Sequence, residues 1–193
     1  RILMLLPIHP TPTTYGRMGR FGSPYAALSF TAVDPALAEF DPPSSAVYRE
    51  NAAAYLEQLK TLNDYARRAM ASIPDEQRVL VTAHDAFSYF GRAYGIEVRG
   101  LLGVSTAAEA GTADVQALAA FIADRGLPAV FIESSVPPRY VEALTEAVIA
   151  RGGVVRIGGS LYSDALGSPG GPAETYVGTV RSNVDTIVGA LSE

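Results

Sequence analysis

A chain of 193 residues, 48% of them hydrophobic, can bury a substantial core as one domain or as a small domain with an appendage. Its formal net charge of −5 supplies no sequence-wide basic field, so nucleic acid is not expected as a partner. The absence of cysteine excludes thiolate zinc sites and disulfides, and only two histidines, His9 and His84, are available for metal or acid–base chemistry.

From the first residue, the apolar run Ile2 to Ile8 is too short to span a membrane, and Pro7 and His9 do not read as a cleavage site. No signal peptide is read in this chain, and any export signal is expected upstream of it or already removed. Residues 1–33 contain Arg1, Arg17 and Arg20 but no acid, giving +3 and leaving the other 160 residues to carry −8. Pro7, Pro10, Pro12 and Pro24 interrupt any regular element there, so residues 1–40 read as irregular. The glycines Gly16, Gly19 and Gly22 resemble a phosphate loop only superficially, because no strand precedes them and no Lys-Ser/Thr pair follows.

After Asp41-Pro-Pro43, Ser44 and Ser45 offer a helix N-cap, and a long helix is expected over 44–73 before Pro74 ends it. Tyr48, Ala52, Tyr55, Leu59, Leu62, Ala66, Ala69 and Ile73 alternate spacings of four and three, which makes one continuous apolar face. Such a helix extends roughly 40 Å, longer than a compact lobe of this size needs. It is expected to project beyond its own domain, and it reads also as a coiled-coil arm for self-association, with Glu57 and Lys60 solvating its edges.

From Arg78 onward the pattern alternates. Strands are expected at Val79 to Ala83, Glu97 to Leu101, Ala129 to Ile132 and Val154 to Ile157, with helices near 86–94, 113–125, 138–151 and 174–191. The fold class is therefore α/β: a parallel sheet of about four strands with helices on both faces, preceded by one long connecting helix. His84 falls where the first strand hands over to a helix marked by Phe87, Phe90 and Tyr94. In open α/β sheets that carboxyl edge is where ligands bind, although a hydrogen-bonded histidine without a role has the same signature. Asp85 reads as a cap for the helix that follows, and 167–172 as a loop before the last helix.

Several stretches then recur in one order: Val81-Thr-Ala-His84-Asp-Ala-Phe87, Gly103-Val-Ser-Thr106 with Glu109, Phe131-Ile-Glu-Ser-Ser-Val136, Ile157-Gly-Gly159, Tyr162-Ser-Asp-Ala-Leu166, Thr175-Tyr-Val-Gly178 and Asn183-Val-Asp-Thr-Ile187. Over about residues 36–193 this series resembles the solute-binding proteins of zinc and manganese ABC importers. Those proteins have two lobes, and the resemblance implies that nearly all of the first is absent here. Residues 1–40 would be its remnant, 44–73 the rigid interdomain helix and 78–193 the C-terminal lobe.

By the same resemblance His84 and Asp164 match metal ligands, and an imidazole nitrogen with a carboxylate oxygen suits zinc or manganese. Asp164 read alone is equally a turn residue. Glu133 and Glu109 match site-adjacent positions, since a ligating histidine needs a partner for its other ring nitrogen, while Glu133 also reads as a buried ion-paired group. Met18 stands where the family has a ligating histidine, a degenerate position because a thioether is a poor donor for zinc and none for manganese. Only weak binding of Zn2+ or Mn2+ is therefore expected of this chain, and a truncated or misassembled gene product is one expectation.

The function implied is that of a non-enzymatic divalent-metal receptor, outside the cytoplasm in a periplasm or lipid-anchored at a cell surface, serving an ABC permease and carrying the family's association with cell adhesion. Two alternatives stay open: an interaction module in which the long helix pairs with another chain beside a vestigial metal site, and a small α/β hydrolase using His84. The second lacks a Gly-x-Ser-x-Gly elbow.

Overall fold

The computed structural model of the chain describes residues 35–103 and 110–192. Met18 and Glu109, together with the irregular reading of residues 1–34, lie outside the described residues. The chain divides into two compact units, Arg1–Arg67 and Arg68–Glu193.

In the first unit, residues 35–40 are helical where an irregular segment was expected. Ala36, Leu37, Ala38 and Glu39 are strong helix formers, and the prolines that follow Asp41 disfavour continuation of the helix. A 3-10 turn at Pro42–Ser44 leads into α1, Ser45–Ala71. The N-cap position of that turn is Asp41, and Pro42 and Pro43, which have no N–H to satisfy, fill its first two positions. The Asp41 carboxylate accepts instead from the Tyr48 hydroxyl at 2.8 Å.

Burial along α1 is graded. Tyr48, Ala52 and Tyr55 are half-buried, whereas Leu59, Leu62, Ala66, Met70 and Ile73 are covered. Met70, fully buried, belongs to the inner face beside the expected Ala69. After α1 the Arg78 guanidinium donates to the Ile73 carbonyl at 2.7 Å and pairs with Asp75 at 2.8 Å, closing the helix C-terminus onto the 3-10 turn Asp75–Gln77.

The second unit is a four-stranded sheet of β1 (Val79–His84), β2 (Glu97–Leu102), β3 (Ala129–Glu133) and β4 (Arg156–Leu161). All pairings are parallel, and the order is β2-β1-β3-β4. Four helices follow the strands: α2 (Ser88–Tyr94), α3 (Thr112–Arg125), α4 (Arg139–Ala150) and α5 (Tyr176–Leu191). Every residue of β1 is buried, which is why it reads as a continuous apolar run and not as an alternation.

The two faces of β1 have different neighbours. Val79, Val81 and Ala83 join Val130 in a core completed by Ala119 and Ile122 of α3 and Val141, Leu144 and Val148 of α4. The opposite face carries Leu80, Thr82 and His84, and the pairing of Thr82 with Phe131 puts β3 residues 129, 131 and 133 on that same side. Helix α5 packs there against β4.

β4 begins two residues later and ends four later than expected. Gly158 and Gly159 weaken the strand signal, so β-propensity ends at Ile157, but the strand continues through them: Gly159 pairs with Phe131, and Gly158 falls at the shift in register between the two pairs. Val154, apolar enough to be read as strand, is 90% exposed. Gly158 is where α5 makes its closest approach: a Cβ there would lie 2.7 Å from the Ala190 Cβ, 2.9 Å from a Phe131 ring carbon and 3.0 Å from the Ala129 Cβ. No helix among the described residues is long and apolar enough to cross a membrane.

Gly158→Ala is therefore expected to overpack the α5–β4 seam and lower stability by about 1–3 kcal/mol in urea unfolding. An unchanged midpoint would show that α5 can withdraw from the strand at no cost.

Candidate metal site

The chain order reverses at β1. From β1 the path goes outward to β2, then crosses back to β3 on the other side, so the carboxyl ends of β1 and β3 flank the crevice where ligands collect in sheets of this kind. His84 ends β1 and Glu133 ends β3. Two residues beyond the Thr82–Phe131 pairing, strand period places them opposite each other on one face.

Their contacts follow from that placement. Glu133 accepts the His84 backbone N–H through Oε1 at 2.8 Å, and its Oε2 lies 2.7 Å from His84 Nδ1. The second approach lies off the N–H direction, so it is an electrostatic contact and not an aligned hydrogen bond. Both side chains are buried, at 3% and 0% exposed. Burial pushes the Glu133 carboxyl above the usual carboxylate range, while the His84 N–H and imidazole and the Ser163 hydroxyl pull it the other way.

The backbone of His84 is fixed independently of its ring. Thr82 donates its hydroxyl to the His84 carbonyl at 2.8 Å, and Ala86 N–H donates to the same oxygen at 3.0 Å. A side chain at Gly100 on β2 would put a Cβ 2.7 Å from Asp85 N and 2.8 Å from the His84 carbonyl carbon, so only glycine lets β1 turn off the sheet there. Asp85 does not cap α2. The N-cap position is Phe87, without a side-chain bond, and the Asp85 carboxylate takes the Ser88 hydroxyl instead.

Asp164 arrives from the segment after β4, and its Oδ2 lies 3.5 Å from His84 Nε2. That side chain is 41% exposed, so the pair has one buried and one solvent-facing member. Two donors each about 2 Å from one ion are separated by roughly this distance. Ser163 lies beside them, its hydroxyl 2.6 Å from that of Ser135, and neither serine carried a periodicity or charge signal that would have singled it out. Among the described residues no group of three or more His, Asp or Glu side chains forms a metal cluster. A cleft of about 430 Å³ beside β2, lined by Arg99, Asp114 and Phe121 among others, does not include His84, Glu133 or Asp164.

Known proteins share this sequence pattern and this fold. A family model described as zinc-uptake complex component A, periplasmic, matches residues 24–190. The zinc-binding protein TroA of Treponema pallidum (strain Nichols) is 57% identical over 166 residues, covering 86% of this chain and 54% of that protein. The manganese-binding lipoprotein MntA of Bacillus subtilis (strain 168) is 45% identical over 163 residues, covering 83% and 53%. The solved structure of the periplasmic zinc-binding protein TroA from Treponema pallidum superposes with a TM-score of 0.85 at 53% identity, over 91% of this chain and 63% of that one. The chain thus spans about half the length of the curated relatives it matches.

Replacing Glu133 with Ala strands the buried His84 N–H and ring, and is expected to cost about 2–3 kcal/mol in urea unfolding. Glu133→Gln keeps an acceptor for the N–H and should cost clearly less. An alanine variant within about 0.5 kcal/mol of the parent would show that the His84–Glu133 contact holds nothing together.

Proposed function

The chain belongs to the zinc-uptake complex component A family, and on that premise we propose that it is the metal-holding C-terminal portion of a non-enzymatic solute receptor whose cargo is zinc or manganese. His84 Nε2 and the Asp164 carboxylate donate to the ion. Glu133 lies against Nδ1 and orients the ring, so that Nε2 is the nitrogen turned toward Asp164. The observation that carries this reading is the 3.5 Å separation of Nε2 and Oδ2, with the opposite ring nitrogen against a buried carboxylate.

Nitrogen with oxygen is a donor set of intermediate hardness, which both metals named for the relatives accept. Only two donors come from the described residues, so water completes the shell and affinity is modest. In the whole protein the first lobe supplies the rest. Such a receptor works outside the cytoplasm and delivers its ion to an ABC permease. Residues 1–40, 44–73 and 78–193 correspond on this reading to a remnant of the first lobe, the interdomain helix and the second lobe.

Calorimetric titration of the metal-stripped chain tests the proposal. Zinc is expected to bind with a Kd in the micromolar range or weaker, about −8 kcal/mol or less favourable. His84→Ala should abolish the heat, and Asp164→Ala should weaken binding at least about tenfold. Zinc binding that survives both substitutions would place the metal elsewhere and end the assignment.

A further inference from the structure

Asp164 lies outside β4, on a segment that no ladder holds, yet its carboxylate must meet His84 within a few tenths of an ångström to share an ion. What fixes that segment is a side chain from α5. The Asn183 amide accepts the Tyr162 N–H through Oδ1 at 2.9 Å and donates through Nδ2 to the Tyr162 carbonyl at 2.8 Å. One amide thus engages both backbone groups of one residue, as a neighbouring strand would. On the other side, the Leu161 carbonyl takes the Ser134 N–H at 2.9 Å. The chain is held from both flanks two and three residues before Asp164.

Asn183 reaches Tyr162 because α5 lies so close to β4. Ala190 sits over Gly158, and Thr186 sits over Gly159, where a Cβ would come within 2.7 Å of the threonine methyl. Asn183 is one turn further toward the helix start from Thr186, on the side that faces the strand end. It is 6% exposed, in a helix whose other buried residues include the apolar Val184 and Ile187. A buried amide at this position is retained only at a desolvation cost, which its two backbone bonds offset.

We propose that Asn183 is a positioning residue for metal binding: its amide clamps Tyr162 and thereby sets the carboxylate of Asp164 against His84. The proposal rests on the reading of Asp164 as a metal donor. It assigns Asn183 no contact with the ion. Its effect passes through Asp164 alone, so removing Asp164 must remove it.

The test is a double-mutant cycle on the full chain with zinc as the probe, together with hydrogen exchange at the Tyr162 amide. Asn183→Ala is expected to weaken zinc binding about three- to tenfold in the parent and to have no effect in Asp164→Ala. Equal losses in both backgrounds would overturn the proposal, since they would mean general loosening of the fold, and so would no loss in the parent. Exchange at Tyr162 reads the clamp without metal, with protection falling at least about tenfold in Asn183→Ala; unchanged protection overturns the proposal. If Asp164→Ala alone leaves zinc affinity unaltered, the donor assignment fails on its own, and the exchange result still decides whether the clamp exists. Asn183→Asp, equal in size, keeps the acceptor but sets a carboxylate against the Tyr162 carbonyl. It should fold and reproduce the selective loss, and parent-like zinc affinity in this variant would also refute the clamp.

Discussion

A carboxylate and an imidazole buried together at the ends of two neighbouring strands constrain the rest of this structure. Taking Glu133 out of water costs several kcal/mol unless its charge is compensated, and here the His84 N–H bonds one oxygen while the His84 ring lies 2.7 Å from the other. Both contacts need β1 and β3 in one register, because a slip of one residue would send Glu133 into the aliphatic core under α3 and α4. The polar pair therefore acts as a registry pin for these two strands, and Thr82 and Gly100 serve the same end by fixing how β1 leaves the sheet.

Much of this was legible in the sequence, for reasons that differ by element. β1 and β3 are short apolar runs bounded by turn residues, and α3, α4 and α5 carry apolar residues at helical spacing, so existence and type were readable to within a residue or three. β4 was displaced because its middle is Gly158-Gly159, which propensity scores as a break, whereas the sheet needs those glycines for the approach of α5. Asp85 looked like a cap because capping residues and side-chain acceptors for a nearby serine have the same composition. The pairing of His84 with Glu133 was half legible: strand period gives each its face, but only the sheet order makes β1 and β3 neighbours. Asn183 and Ser163 were invisible as contributors, since the helix pattern treats a buried amide as a defect in the apolar face and a serine beside an aspartate as loop.

The contacts that build this crevice join residues far apart along the chain. His84 and Glu133 are 49 residues apart, and Tyr162 and Asn183 a further 21 from each other. The first contact cannot form until β1 and β3 have paired, nor the second until α5 has packed on the end of β4, and parallel pairing of this kind carries its loop-closure entropy before it is rewarded. Partly folded chains consequently lack the assembled crevice. A ligand that requires all of these residues recognises only the finished lobe, so every increment of its binding energy adds to global stability and none to an intermediate. An ion held as proposed at His84 and Asp164 would bind only a lobe that has finished folding.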